Sequence, residues 1–187
     1  MRNIFVLFVT VVFIIPVFNS CKKGSEDPFI SLRSRESRLK GEWNLTSGTA
    51  TIIDGSTTIT QTFDGSMVTI ITNGQSETYA HTEKLEFLKD YMYKSTKLNN
   101  TNLEICEGYW AFMDGYGDDV SDNQCVVLRY ASVVNGNNVQ TYSADKMPIN
   151  ILNLKKLSGS ELITEFDGVS VESGTVTTTV LKTYEKK

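Results

Sequence analysis

The sequence predicts an all-β protein, an antiparallel up-and-down β-barrel of about eight to ten strands entered through a short N-terminal helical turn. Three observations predict it. Asp-Gly, Asn-Gly and Ser-Gly pairs punctuate the chain from Gly41 onward, and such pairs supply the positive φ angles of tight hairpin turns. The segments between them alternate apolar and polar side chains with period two. No amphipathic helix long enough to cross over a sheet lies among them, which leaves hairpins as the connections. So many strands in an open sheet would leave two bare edges, and closing the sheet removes both.

The elements follow in order. Ile4 to Phe18 is apolar apart from Thr10 and Pro16 and follows Arg2. That is the length of a signal-peptide core and less than the roughly 20 residues that span a bilayer. Small Ser20 then precedes Cys21. The string Val17-Phe18-Asn19-Ser20-Cys21 resembles a bacterial lipobox, with Phe18 at the position where Leu is commonest, as in the relaxed lipoboxes of Bacteroidetes-type lipoproteins. The resemblance implies a signal peptide over 1–20, a diacylglycerol on the Cys21 sulfur and an acyl chain on its new amine. Several acyl chains make an effectively permanent anchor. The partner it implies is a membrane, and the location the cell envelope, at the outer membrane in its periplasmic or surface-exposed leaflet. Lys22 to about Ser31 is polar and without periodicity, a tether. Leu32 and Leu39 stand two turns apart, which predicts a short helix at the end of a linking segment, 21–38. The barrel domain occupies 39–187.

Within the barrel, Trp43, Leu45 and Ser47 are expected on one face, then Thr57, Ile59, Gln61 and Phe63, then Tyr79, His81, Glu83, Leu85 and Phe87. Cys106, Gly108, Trp110 and Phe112 follow, then Val126, Leu128 and Tyr130, and last Val176, Thr178, Val180 and Tyr184. The expected turns are Asp54-Gly55, Asp64-Gly65, Asn73-Gly74, Asp114-Gly115, Asn135-Gly136, Ser158-Gly159, Asp167-Gly168 and Ser173-Gly174.

Gly41-Glu42-Trp43, entering the first strand after a helical turn, resembles the start of lipocalin-like barrels. The strings Gly108-Tyr109-Trp110-Ala111-Phe112 and Ile151 to Leu162 look like the lipocalin-like domains of many Bacteroidetes lipoproteins, and together these stretches span most of the chain from Leu39 to Tyr184. The resemblance implies that Gly41 lets the chain bend, that Trp43 plugs the closed end, and that a basic side chain of the last strand, Lys182, covers the indole.

Composition narrows the function. The formal charge of the 187 residues is -4 with no basic block, which excludes nucleic acid as an expected partner. His81 is the single histidine, so a site built on several imidazoles is excluded. There is no nucleophile elbow or phosphate-binding glycine loop, and neither an enzyme nor a cofactor is expected. Asp114, Asp118, Asp119 and Asp122 share a loop and are weak calcium candidates, although their spacing departs from the EF-hand; no metal is the expectation. Cys106 and Cys125 fall on opposite strand faces, which argues against a disulfide. The expected activity is non-catalytic binding of a small apolar or amphipathic ligand, with Tyr79, His81, Leu85, Trp110 and Leu128 as candidate wall. The alternative is a surface interaction module, a filled barrel whose acidic loop and Val133–Met147 connection bind a glycan or a protein. The Lys22-Lys23-Gly24-Ser25-Glu26-Asp27 string, which loosely resembles the surface-export tethers of such lipoproteins, leans toward it.

Overall fold

The computed structural model describes residues 33–113, 124–170 and 176–187. Helix α1 (Arg35–Leu39) precedes strands β1 (Gly41–Asp54), β2 (Thr57–Phe63), β3 (Met67–Thr72), β4 (Gln75–Phe87), β5 (Met92–Asn99), β6 (Asn102–Met113), β7 (Gln124–Asn135), β8 (Asn138–Thr141), β9 (Ile149–Leu157), β10 (Glu161–Ser170) and β11 (Val176–Lys186). A 3-10 turn, Lys89–Tyr91, joins β4 to β5. All neighbouring strands are antiparallel, and β1 to β7 followed by β9, β10 and β11 close into a ten-stranded barrel, β11 returning to β1. β8 is a short arm beside the end of β7.

The barrel is not equally wide along its axis. The start of β1, Gly41 to Asn44, pairs directly with Lys84 to Phe87 of β4, whereas Gly48 to Asp54 pair with β2. The β2–β3 hairpin is therefore wedged between β1 and β4 only in the half away from the helix. At the helix end eight strands complete the circuit, the number whose interior side chains just fill. At the far end ten strands enclose more room.

Local chemistry explains the boundaries. Ser34 caps α1, its hydroxyl accepting from the Ser37 amide at 3.1 Å, which satisfies one of the donors a helix start leaves bare. Asn73 and Gly74 have φ of 51° and 79°, the pair of left-handed residues that a two-residue hairpin needs. Gly55, Gly65 and Gly136 also sit at positive φ in their turns. Three expectations are corrected. Asp167-Gly168 is not a turn but lies inside β10, where the Phe166 ring lies over the glycine face. The Val133–Met147 connection holds the end of β7 and all of β8. Ser47 leaves the face of Trp43 and Leu45, because a bulge between Leu45 and Ser47 shifts the register and places Gly48 opposite Lys182; a one-residue slip turns every later side chain over.

Candidate functional site

The helix end is sealed. Trp43 is fully buried, and its indole Nε1 donates to the Leu39 carbonyl at 2.7 Å. The cation over it is Lys186, with Nζ 5.0 Å from the ring centroid, and not Lys182. Lys186 also donates to the Arg38 carbonyl at 2.7 Å. Gly41, at φ 131°, makes room for it: a Cβ there would stand 2.6 Å from Lys186 Cε. Arg38 donates to the Leu157 carbonyl, fastening the helix to β9. Leu85, Trp110 and Leu128 belong to this packed end. Trp110 meets Phe87 and Phe112 edge-on at 5.7 and 5.8 Å, a favourable aromatic geometry. These three are packing partners of the plug.

Halfway along the axis the inward face turns polar. Glu83 of β4 is buried and receives Lys182 Nζ on Oε2, while Tyr184 donates its hydroxyl to Oε1 at 2.8 Å. His81 Nδ1 lies 2.6 Å from Asn99 Oδ1, its Nε2 stands 3.9 Å from Glu83 Oε2, and its ring packs on Phe63 at 4.8 Å. Lys182 crosses the same Phe63 ring at 5.2 Å. Burial pushes the Glu83 carboxyl pKa up, but His81 and the cations of Lys182 and Lys97 outweigh it and hold the group well below the usual carboxylate range. Burial, with the Glu83 charge beside it, raises the Tyr184 phenol well above its ordinary value, so it stays a donor at neutral pH. A buried ion pair with its remaining acceptor filled by a phenol is the arrangement under which such a pair persists.

Above this layer the interior opens. On β10 the inward row runs from fully buried Leu162 through buried Thr164 to Phe166, which is 44% exposed. Ile70, Tyr79 and Val180 are likewise only partly buried. The wall is also incomplete here. The β9–β10 ladder ends at Asn153 and Glu165, so from Phe166 onward β10 pairs only with β11, and Ile149 to Leu152 of β9 pair only with β7. The structure thus sets the sequence-named residues apart: Tyr79 and His81 reach the polar layer and the open half, whereas Leu85, Trp110 and Leu128 lie in the plug. It adds Glu83, Lys182, Tyr184 and Phe166. The signal for the ion pair was present in the sequence as a glutamate and a lysine at inward parity on two strands. Parity also pointed to Lys186, two residues beyond inward Tyr184.

Cys106 and Cys125 are free thiols. Cys21 with its leader and tether, and the Asp114, Asp118, Asp119 and Asp122 loop with Tyr116, lie outside the described residues. Among the described residues no group of three or more His, Cys, Asp or Glu side chains could hold a metal ion.

Fold and interior together define a closed antiparallel β-barrel of a form compatible with a lipocalin-like binding module. No family model, no curated protein and no solved structure matches the chain.

Proposed function

We propose that the chain is a lipocalin-like lipoprotein of the cell envelope, held to the outer membrane by acyl chains on Cys21, whose barrel binds a small apolar or amphipathic molecule without catalysis. The observation that carries the binding reading is Phe166, a large apolar side chain on an inward row that remains 44% exposed. Its neighbourhood suits an amphipathic guest: Ile70, Tyr79 and Val180 supply apolar wall, and the Glu83–Lys182 layer supplies a polar floor. Pockets of this kind pair apolar lining with a few fixed polar groups. The short β9–β10 ladder gives a way in beside Phe166.

The test is the mass of the gently purified chain under native conditions. A recurrent extra mass, lost on denaturation and lost in Phe166→Arg while the fold is kept, supports the carrier. A bare mass that persists after incubation with envelope lipid extract overturns it. For the anchor, Cys21→Ser is expected to move the chain from the membrane fraction to the soluble one, with loss of acyl mass; retention of acyl mass in that variant overturns the lipidation reading.

A further inference from the structure

Six of the twelve exposed large apolar side chains among the described residues fall in one sector, the outer wall of β5, β6, β7 and β9 and the rim turn before β5: Leu88, Tyr91, Met92, Tyr109, Ile149 and Ile151. Register makes them neighbours. Met92 stands opposite Tyr109, Tyr109 opposite Arg129, and Arg129 opposite Ile149. In the next outward row Ala111 stands opposite Val127 and Val127 opposite Ile151. Four strands side by side make this face about 15 Å wide. Exposed apolar patches of such extent on a folded surface mark contact with a protein or a membrane.

Two further observations select the membrane. The chain enters the barrel at this place: Gly41 pairs with Phe87, next to Leu88, and Lys40 Nζ lies 6.0 Å over the Tyr91 ring. The residues from Cys21 to Arg33 can extend by no more than about 45 Å, which keeps the sector within reach of any bilayer that holds Cys21. The rim turn is also held in an unusual shape. Asp90 and Tyr91 adopt φ of 56° and 58°, a left-handed conformation that non-glycine residues avoid, with Leu88 and Tyr91 exposed while the Tyr91 ring rests on Trp110 at 5.3 Å. Strain of this kind collects where a surface has a task. The composition fits a headgroup layer: tyrosines prefer that depth, and the sector's cations are held by the protein, Arg129 on the Ala144 carbonyl at 2.8 Å and Lys40 on Glu36 at 2.6 Å, with their stems free to lie along apolar surface.

We infer that this sector is a membrane-contact face, and that the barrel lies with the β5–β6–β7–β9 wall and the Leu88–Met92 turn against the bilayer that carries its anchor. The inference rests on the anchoring reading and deepens it.

The test uses the full lipidated chain in phosphatidylcholine vesicles, with a nitroxide placed at Tyr109→Cys, at Ile149→Cys or, as control, at Thr49→Cys on the exposed far wall. Native Cys106 and Cys125 are buried and escape the label. Labels at 109 and 149 are expected to gain oxygen accessibility and lose contact with a water-soluble nickel chelate several-fold relative to 49. Equal nickel accessibility at all three sites in chain that floats with the vesicles overturns the contact face and leaves the anchor standing. Loss of both oxygen and nickel contact means protein covers the sector and also overturns it. Chain that fails to float overturns the anchor and this inference together.

Discussion

Lys186 lies over Trp43 with its amine 5.0 Å from the ring centroid, and the same amine is tied to the carbonyl of Arg38. The last strand thus clamps the indole and the capping helix in one contact. Burial, and then the Arg33 charge, press the Lys186 pKa below its ordinary value, as expected for a cation drawn toward a sealed end. Trp43→Ala should cost about 3 to 5 kcal/mol through the cavity it leaves. Lys186→Met, which keeps the stem, should cost about 1 kcal/mol. Urea unfolding midpoints check both, and a Lys186→Met change as large as that of Trp43→Ala would show that the lysine does more than cover the ring.

The Glu83–Lys182 pair should reveal itself in pH dependence. Glu83 has a folded pKa far below its ordinary value of 4.5. As pH falls, the unfolded chain therefore takes up the proton first. Stability from this group is fully present above about pH 4.5 and declines progressively below it. Glu83→Gln should flatten the acid limb and cost about 3 to 5 kcal/mol at neutral pH, because it strands a largely buried cation. Glu83→Leu combined with Lys182→Met should recover a good part of that loss. Stability measured from pH 3 to pH 7 decides it; an unchanged acid limb in Glu83→Gln would place the dependence on other carboxylates.

How much of this could be read from the chain depends on whether a feature is local. Hairpins at Asn73-Gly74 and Asn135-Gly136 were legible because positive φ is written in the residue types themselves. The inward face of β4, from Tyr79 to Phe87, was legible because strand periodicity is strict. Ser47 and Asp167-Gly168 depart from the pattern of alternation and turn pairs for the complementary reason. A bulge leaves no mark in alternation, and an Asp-Gly pair can be accommodated within a ladder, here with an aromatic ring over the glycine. The turn at Asp90-Tyr91 carries no glycine at all. Of the site, inward parity exposed His81 and Tyr79, but nothing local says that Leu85 and Trp110 stand where the barrel is eight strands around while Phe166 stands where the β2–β3 hairpin widens the wall and β9 has parted from β10.

Two glycines separate lack of space from backbone strain. A Cβ on Gly108 would stand 1.9 Å from the Arg129 carbonyl oxygen, because a bulge between Glu107 and Gly108 draws β7 against it. Gly55 has nothing within 4 Å, but its φ is 56°. Gly108→Ala should cost about 3 kcal/mol or more, since backbone atoms must move, and Gly55→Ala about 1 kcal/mol from the left-handed conformation alone. Thermal unfolding of the two variants orders them; similar values would mean that β7 shifts aside without difficulty.

The two thiols should remain separate even in an oxidising compartment. Cys106 stands opposite Val133 and Cys125 opposite Met113 on the same β6–β7 ladder. That register puts them about 24 Å apart along the strands, far beyond the roughly 7 Å over which a disulfide can close. Cys125 is further occupied, its Sγ 3.0 Å from Asn153 Oδ1. Burial pushes both thiols' pKa up, which withholds the reactive thiolate. A thiol reagent should therefore find neither Cys106 nor Cys125 in the folded chain and both after denaturation, with no change in mass on reduction. Rapid labelling of the native protein would instead show that the β6–β7 ladder opens easily, and loss of the pair on air oxidation would require a register different from the one that aligns Trp110 with Leu128.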